Sequence, residues 1–380
     1  MAEHKIKTLT LVAAGLFRSD TVKLKELEAK DQYPRVILYR EVLNTDELDE
    51  KFLERVPFWR RMFYKLVSTT VAQVIEAFIV SKKYDAVISW GDESGLLFAL
   101  LLKLTRSRIP HVGMFSWPSR GGKRLLLRFT HRQFDRIIMW SPMQANIVIN
   151  KLHVPASKIA MLNWHVDQKF FRPMERETDM ICAVGSEMRD YETLVHAMRG
   201  LDIKCHIAAG TLIDKKGRKL VPGKNLPANV TVAKKPLYEV RELYARSRFV
   251  VIPLHQTDSD NGITCILEAF AMGKPVICSL TNGQVGVIEE GKTGIFVPVG
   301  DSKALRNAIV ELWNNPERAE EMGKNARAYI EQHATLDGFV KQVRAIVEDC
   351  VAEYNHEQQI PVTTSLPSPQ ASATRETTPS

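Results

Sequence analysis

Short apolar stretches that end in polar or glycine-containing loops alternate, along most of the chain, with segments whose apolar residues recur at helical spacing. Apolar runs of this kind are typical of strands buried on both faces of a parallel sheet, and a strand–helix alternation needs crossover connections. The first half of the chain therefore predicts a doubly wound α/β domain. Its predicted strands lie at 8–14, 34–39, 84–90, 111–117 and 136–141.

The same alternation starts again at Met180 and predicts a second doubly wound domain. Its predicted strands lie at 181–186, 205–210, 230–235, 249–254, 275–279 and 295–299, with helices from 191, over 237–247 and over 263–272. Ligands of such sheets bind beyond the carboxyl ends of the strands, so two facing sheets predict one deep cleft.

These patterns divide the chain into four parts. We expect an N-terminal Rossmann-like domain over 1–165, a C-terminal one over 166–335, a helix over 336–355 that packs back on the first domain, and a disordered tail over 356–380. The linker between the domains is predicted within 155–173, where prolines and polar residues concentrate. The tail is rich in Ser, Thr, Pro and Gln and has little to bury.

The charge of the chain is uneven. The net charge is +8, but the residues up to Arg172 hold 28 Lys and Arg against 17 Asp and Glu, and residues 103–136 hold nine cations against Asp135 alone. Two interpretations stay open: a solvated helix face whose Leu125, Leu126 and Phe129 point to the core, or a face that contacts an anionic membrane surface. No nucleic-acid-binding motif accompanies the charge.

A helical stripe from Trp59 to Ile79 leaves the same choice open. Its apolar residues are typical of a core-facing helix, whereas its aromatic and basic start over 58–65 is also suited to lipid headgroups.

Several classes of protein are excluded by composition. No apolar run approaches the roughly 18 residues that a membrane span needs, and the N-terminus lacks the cleavage pattern of a secretory signal. The five cysteines contain no C-x-x-C pair, which argues against a disulfide framework or structural zinc. The motif GVIEEGKT over 286–293 matches a P-loop expression but is followed by a predicted strand instead of a helix. We therefore expect a cytoplasmic protein, at most peripheral on the inner membrane face.

The most informative stretch is PLHQTDSDNGITCILEAFAMGKPVI, over 253–277. A strand ends there in a polar loop, Gly262 allows close approach of a ligand, and a helix begins with free backbone amides that suit a phosphate. Asp260 on the loop and Glu268 inside the helix are both expected to face the cleft, where carboxylates can accept hydrogen bonds from sugar hydroxyls.

This stretch resembles the donor-binding motif of retaining GT-B-fold glycosyltransferases of family four, the glycosyl transferases group 1. Weaker matches follow in the same order as in that family. They are NWHVDQKFFRP over 163–173, Val184-Gly185 with Arg189-Asp190-Tyr191 and Leu194, and GQVGVIEEGKTGIFVPVGD over 283–301.

The resemblance implies a metal-independent hexosyltransferase that moves a sugar from a nucleoside diphosphate sugar to a hydroxyl acceptor, with no cofactor. A UDP-sugar is favoured as the donor, and a GDP-sugar is the second choice. The acceptor would be lipid-linked or a polysaccharide precursor. It implies that Asp260 and Arg189 serve catalysis and that Glu268 binds the ribose. The other implied donor-site residues are Gly262, Ile263, Thr264, Lys234, Lys235 and Gly15, and the expected acceptor-site residues are Asp92, Glu93, Trp117 and Arg120.

Departures from the family pattern leave an alternative open. Asp260 replaces a glutamate, and Arg189 replaces a lysine. Further departures are Ser186 for an arginine, Gly286 for an acidic residue, Ser116-Trp117 for a histidine, and a single Gly15 for a glycine pair. The alternative is a catalytically weakened GT-B protein that binds a nucleotide sugar or a partner glycosyltransferase. A sugar epimerase or phosphorylase of the same architecture is a third interpretation.

Overall fold

The structure is a computed structural model that describes residues 5–12, 21–209, 226–284 and 286–359. Gly15 and the end of the predicted tail lie outside the described residues. Two six-stranded parallel sheets form the frame, with strand orders β2-β1-β3-β4-β5-β6 and β12-β11-β10-β7-β8-β9. The predicted fold class, two doubly wound α/β domains, is confirmed.

The first domain is built on residues up to Met161. Its elements are β1 Thr8–Val12, α1 Thr21–Ala29, α2 Ile37–Leu43, β2 Thr45–Leu48, α3 Glu50–Glu54, α4 Phe58–Tyr64, α5 Thr69–Val80, β3 Ala86–Trp90, α6 Asp92–Thr105, β4 His111–Phe115, α7 Lys123–Thr130, β5 Arg136–Met139, α8 Pro142–Asn150 and β6 Ile159–Met161. Helices α5 and α6 pack on one face of the sheet and α2 on the other.

The second domain and the C-terminal helices follow from Met180. Their elements are β7 Met180–Val184, α9 Tyr191–Met198, β8 Lys204–Ala208, β9 Val230–Ala233, α10 Leu237–Arg246, β10 Ser247–Ile252, α11 Ile263–Ala271, β11 Val276–Leu280, β12 Gly294–Pro298, α12 Ser302–Asn314, α13 Pro316–His333 and α14 Leu336–Gln359. Side-chain caps start several of these helices: the carboxylate of Asp190 accepts from the Thr193 amide, and that of Asp301 from the Ala304 amide.

The predicted strand over 34–39 is wrong. Residues Ile37–Leu43 form helix α2, whose Ile37, Tyr39 and Leu43 are buried, and the edge strand is the more polar Thr45–Leu48. An edge strand needs few buried side chains, whereas the apolar residues of α2 are buried against α14. Tertiary packing thus outweighs the local β-propensity of PRVILY.

The stripe over 59–79 is two helices rather than one. The Ser68 hydroxyl accepts from the Val71 amide and caps α5, which separates it from α4. On α7, Leu127 is the buried apolar residue, whereas Leu125 is 65% and Phe129 53% exposed. Of the two interpretations of this segment, the one in which Leu125 and Phe129 point to the core is therefore wrong. Among the described helices, none has both the length and the apolar character that crossing a bilayer requires.

Helix α14 carries the chain back to the first domain. Its Phe339, Val343 and Val347 are buried in the same cluster as Tyr39 and Ile138. The helix runs to Gln359, four residues beyond the expected end. The two chain segments that connect the domains pair with each other, because the Val166 amide donates to the Ala334 carbonyl (3.0 Å) and the Leu336 amide to the Val166 carbonyl (2.9 Å).

A cluster of ion pairs holds this connection to the first domain. The Arg35 guanidinium donates to Asp167 (2.7 Å) and to Asp337 (2.9 Å), and the Arg35 amide also donates to Asp167 (2.7 Å). The side chain of Asp167 is only 2% exposed, so its charge depends on these partners. A second, more exposed pair joins Asp31 to Arg172 (2.7 Å).

We expect Arg35→Ala to lower the free energy of unfolding by about 2–4 kcal/mol, because it leaves the buried Asp167 carboxylate without its cation. Urea unfolding measures this loss. The matched control is Arg172→Ala, whose pair with Asp31 is nearly half exposed and should cost less than about 1 kcal/mol. Equal losses in the two variants would contradict the central role of Arg35.

Candidate active site

The candidate site lies where the strand order of the second sheet reverses, between β7 and β10. At such a switch point the loops after the two strands diverge and leave a crevice at the carboxyl edge. Here the two loops are joined: the Asp190 amide donates to the Pro253 carbonyl (3.0 Å), and the His255 amide to the Met188 carbonyl (2.9 Å). Both loops are therefore held in place beside the start of α11.

Two glycines, Gly185 and Gly262, lie against the side chain of Arg189. Gly185 has a φ of 100° and Gly262, which precedes α11, a φ of 92°, a region that favours glycine. A Cβ atom on Gly185 would lie 2.5 Å from Nη2 of Arg189, and one on Gly262 would lie 3.6 Å from Nη1. The guanidinium thus lies between the loop after β7 and the first turn of α11.

Arg189 is 4% exposed and hydrogen-bonds only uncharged groups among the described residues. Its Nε donates to the Val184 carbonyl (2.9 Å), its Nη1 to the Glu187 carbonyl (2.9 Å) and its Nη2 to Cys265 Sγ (3.2 Å). A buried cation beside the positive end of a helix raises the local potential. An anion at the start of α11 would be stabilised by the backbone amides and by this charge.

The loop before α11 is pinned from behind. A Cβ on Gly283 would lie 2.0 Å from the Ser259 carbonyl oxygen, so only glycine fits there. The Gly283 amide donates to the Thr257 carbonyl (3.0 Å), and Gln284 Nε2 donates to the Asn261 carbonyl (2.6 Å). These contacts give a physical reason for the glycine at the start of the segment over 283–301.

Helix α11 separates two cavities between the domains, and each contains one of the two predicted carboxylates. The first, here the Glu268 cavity, has a volume of about 310 Å³ and is also lined by Thr264, Trp90 and His165. The second, the Asp260 cavity, has a volume of about 150 Å³. Its other lining residues include Ile263, Leu267, Trp140, Trp164, Gln284 and Tyr329.

Glu268 is a buried carboxyl group. Its Oε2 accepts a hydrogen bond from the Tyr244 hydroxyl (2.8 Å), and its residue is 9% exposed. Burial raises the pKa of Glu268 to about 7, although the Tyr244 hydrogen bond and the positive charge of Arg189 oppose the shift. A ligand that supplies hydroxyl donors would favour the charged carboxylate.

Asp260 is held by the linker. The Trp164 indole Nε1 donates to its Oδ2, and the Ser259 hydroxyl donates to Oδ1 (3.2 Å). Burial raises the pKa of Asp260, with the Trp164 hydrogen bond opposing. Trp164 in turn stacks on Trp140 of the first domain, with ring centroids 4.5 Å apart. The carboxylate therefore lies in an aromatic, interdomain setting.

The remaining expected donor residues do not all come together. Ile263 and Thr264 occupy the first turn of α11 on the sides of the two cavities. Lys234 is exposed and Lys235 pairs with Glu239 (3.0 Å), and neither lines the two cavities.

The expected acceptor residues cluster beyond β3 and β4 but line neither cavity. The Asp92 carboxylate accepts from the Ser116 amide (3.0 Å) and the Trp117 amide (3.2 Å) and pairs with Lys123. The Arg120 guanidinium lies 4.7 Å from the Trp117 ring centroid. Asp92 thus organises the loop after β4, and Glu93 is exposed.

Sequence reasoning missed the partners of both carboxylates. Trp164 lies 96 residues from Asp260 in the chain, and no local pattern links them. Tyr244 had a usable signal, since a tyrosine on the buried stripe of a helix generally needs a hydrogen-bond partner. Among the described residues, no group of three or more His, Cys, Asp or Glu side chains is arranged to hold a metal ion.

We expect the contribution of Glu268 to the free energy of unfolding to fall as pH rises from about 4.5 to about 7, because the folded protein holds a proton on this group that the unfolded chain releases. The buried His111 and the partly buried His165 act in the opposite direction, since burial lowers their pKa values to about 3 and about 4. The contribution of Glu268 is therefore read as a difference between the wild type and a variant. The contribution of this group is up to about 3 kcal/mol. Between pH 5 and pH 8, urea unfolding should show that the free energy of unfolding of Glu268→Gln increases relative to that of the wild type. Glu93→Gln, at an exposed position, should match the wild type; an unchanged slope in Glu268→Gln would contradict the assignment.

Residues 167–329 match the family model for glycosyl transferases group 1. Among curated proteins, the chain is 34% identical over 99 residues to the O-antigen chain mannosyltransferase C of Escherichia coli, which is 26% of each protein. It is 39% identical over 84 residues to a D-rhamnosyltransferase of Pseudomonas aeruginosa, which is 22% of each. The aligned regions thus span about a quarter of the length of these relatives.

Solved structures resemble the whole fold. Sucrose-phosphate synthase from Thermosynechococcus elongatus superposes with a TM-score of 0.68 at 16% identity, over 91% of this chain and all of that one. Anabaena HepE in complex with UDP and glucose superposes with a TM-score of 0.67 at 15% identity, over 90% and 100%. At these identities the similarity shows the fold alone. The residues that match the family model thus belong to the second domain, and the solved structures share the two-domain fold.

Proposed function

We propose that the protein is a retaining, metal-independent glycosyltransferase that moves a hexose from a nucleoside diphosphate sugar to a hydroxyl acceptor in polysaccharide or glycolipid synthesis. The observation that carries this proposal is the start of α11, where free amides and the buried Arg189 lie between two carboxylate-containing cavities. The relatives named as mannosyl- and rhamnosyltransferases support it.

Each part of a nucleoside diphosphate sugar can be assigned to one part of this site. Its diphosphate would lie across the first turn of α11, where amides and the positive potential of Arg189 stabilise negative charge. Its ribose would extend into the Glu268 cavity and its sugar into the Asp260 cavity, each next to a carboxylate that accepts from hydroxyls. UDP is favoured as the nucleotide, because HepE was solved with UDP and with UDP-glucose.

Charge stabilisation would then account for the chemistry. As the bond between the sugar and the diphosphate breaks, negative charge grows on the leaving phosphate, and fixed amides with a buried cation stabilise it without reorganisation. The acceptor hydroxyl would approach from the face that the nucleotide leaves, and its proton would pass to the departing phosphate oxygen. The protein contributes positioning and electrostatics.

The acceptor is proposed to be lipid-linked or part of a growing polysaccharide, with the protein peripheral on an anionic membrane face. The excess of positive charge in the first 172 residues supports this location. The residues after β3 and β4, from Asp92 to Arg120, remain the proposed acceptor side of the cleft.

The alternative, a protein that binds a nucleotide sugar without turnover, is favoured by one observation. The Arg189 guanidinium is buried with hydrogen bonds to two carbonyls and a thiol, so it acts at a distance unless these bonds rearrange.

A thermal-shift and nucleotide-release screen against UDP-, GDP- and ADP-sugars, with EDTA present, tests both functions. A donor that raises the melting temperature and is slowly hydrolysed supports the transferase and its independence of metal. Stabilisation without release, also after addition of acceptors, supports the binding protein. No response to any donor would reject both.

For the donor identified in this screen, we expect Glu268→Gln to raise its Kd at least about tenfold, since a neutral amide accepts ribose hydroxyls less strongly than a carboxylate. Isothermal titration at pH 8, where the wild-type group is charged, measures this change. Glu317→Gln, at an exposed position of α13 outside both cavities, is the control and should bind like the wild type. Unchanged affinity in Glu268→Gln would remove the ribose assignment.

We expect Asp260→Asn to retain donor binding within a few-fold but to lower the rate of nucleotide release about a hundredfold. The reason is that Asp260 is proposed to position the sugar that is transferred. Single-turnover release with saturating donor measures this. Asn keeps an oxygen that can accept from the Trp164 indole, so the loop should stay in place. An unchanged release rate would contradict a catalytic role for Asp260.

A further inference from the structure

Large apolar side chains are exposed mainly on one face of the first domain. Of the fifteen exposed large hydrophobic residues in the described part of the chain, nine lie between residues 58 and 129, on α4 to α7 or in the turn after α4. They are Phe58, Trp59, Met62, Phe63, Leu66, Ile79, Leu104, Leu125 and Phe129. We call this surface the α4–α7 face. Such a concentration on one side marks an interaction surface.

These helices form one layer. Arg60 and Tyr64 of α4 both bond to Glu76 of α5 (3.0 and 2.7 Å), so α4 lies against α5. Lys103 of α6 donates to the Phe129 carbonyl of α7 (2.6 Å), and its ammonium lies 3.4 Å from the Phe129 ring centroid. Since α5 and α6 pack on the same face of the sheet, α4 and α7 flank that pair.

Helix α4 turns most of its apolar side chains outward. Phe58 is 68% and Trp59 71% exposed, and Leu66 just after the helix is 81% exposed. Only Tyr64 of this helix is buried, held by Glu76. The exposure therefore does not serve the packing of the domain, and these side chains are available to a partner.

Cations surround the apolar side chains. Residues 55–66 contain four cations and no carboxylate, and residues 103–136 contain nine cations and Asp135 alone. The exposed cations of the face are Arg55, Arg61, Lys65, Arg106, Arg120, Arg124, Arg128 and Arg132. Aromatic and aliphatic groups interleaved with arginine and lysine are typical of helices that lie in the headgroup region of anionic bilayers.

We propose that the α4–α7 face docks on an anionic lipid bilayer, with the apolar side chains of α4 and α7 inserted at headgroup depth and the flanking cations on lipid phosphates. Charge complementarity selects this occupant, because the segments 55–66 and 103–136 of this face are strongly cationic and a bilayer also takes up the exposed rings that they carry. Docking at this face would give the protein access to a lipid-linked acceptor, and this role, but not the docking itself, rests on the proposed function.

The placement leaves the cleft open. In a parallel α/β domain, the helices that connect the strands begin at the carboxyl edge of the sheet, which is the edge that faces the cleft. The contact of Lys123 at the start of α7 with Asp92 at the start of α6 marks that edge. A bilayer under the α4–α7 face would therefore run beside the cleft, and the headgroup of an acceptor could enter from the side.

The experiment is co-sedimentation of the full chain with vesicles of phosphatidylglycerol and phosphatidylcholine, and with vesicles of phosphatidylcholine alone. We expect binding to the anionic vesicles at 50 mM NaCl, on the order of tenfold weaker binding at 500 mM NaCl, and little binding to the neutral vesicles. No binding to the anionic vesicles at low salt would overturn the proposal.

Two pairs of substitutions place the contact. Trp59→Ser with Phe63→Ser removes exposed rings, and Arg124→Glu with Arg128→Glu reverses exposed charges; each should lower vesicle binding at least about tenfold. The matched controls in other parts of the chain are Tyr238→Ser, on an exposed ring of α10, and Lys303→Glu with Lys341→Glu, on exposed lysines of α12 and α14. Controls that lose binding as strongly as the test variants would overturn the assignment of this face.

Tryptophan fluorescence supplies a readout that depends on insertion. Anionic vesicles should shift the emission of the wild type to the blue, and Trp59→Phe should keep vesicle binding but lose most of the shift. A shift that persists in Trp59→Phe would overturn insertion of α4.

Nucleotide release measured without vesicles separates this inference from the proposed function. The surface variants should release nucleotide at the wild-type rate. A protein that binds vesicles but responds to no donor would reject the enzyme and leave the docking face in place; one that releases nucleotide but ignores vesicles would reject the docking face alone.

Discussion

The cleft depends on one buried carboxylate, that of Asp167, at the point where the chain passes from one domain to the other. Arg35 reaches it from the loop before α2 and at the same time bonds to Asp337 in the first turn of α14. The loop, the linker and the start of α14 all line the Glu268 cavity. The spacing of the two domains at this cavity therefore depends on the Asp167 carboxylate. Removing its cationic partner would leave a buried charge unpaired, which costs free energy of folding.

A second buried charge, that of Arg189, lies beside the start of α11. Most buried arginines pair with a carboxylate, but Arg189 is surrounded by carbonyls, a thiol and the amide end of α11. The positive charge of Arg189 acts on Glu268, whose pKa burial raises to about 7, so this carboxyl group is partly neutral near pH 7. A buried cation beside the amide end of a helix stabilises a bound anion, and Gly185 and Gly262 allow the backbone to lie close to the Arg189 guanidinium.

Much of this architecture could be predicted from the sequence, because buried parallel strands are continuous apolar runs. The predicted bounds of the strands from Met180 onward, and the predicted start of the helix at Ile263, agree with the observed ones within a few residues. The failure at 34–39 has a physical reason: α14, three hundred residues later, supplies the surface against which that segment folds as a helix. The same holds at the site, where Trp164 and Asp260 meet across the domain boundary and no spacing rule connects them.

What the sequence left open most clearly is the direction in which amphipathic residues point. The run from Phe58 to Leu66 and the run from Lys123 to Phe129 have the composition of core helices as much as of surface ones. In the structure, Tyr64 of α4 and Leu127 of α7 are the apolar residues of these helices that are buried in the core of the domain. The remaining apolar side chains are left outside beside arginines. The rings among them contact neighbouring cations, but their exposed apolar area would contribute to stability only if a partner covered it. A partner on the side of the domain that runs past the cleft would cover these side chains and remove their apolar surface from water.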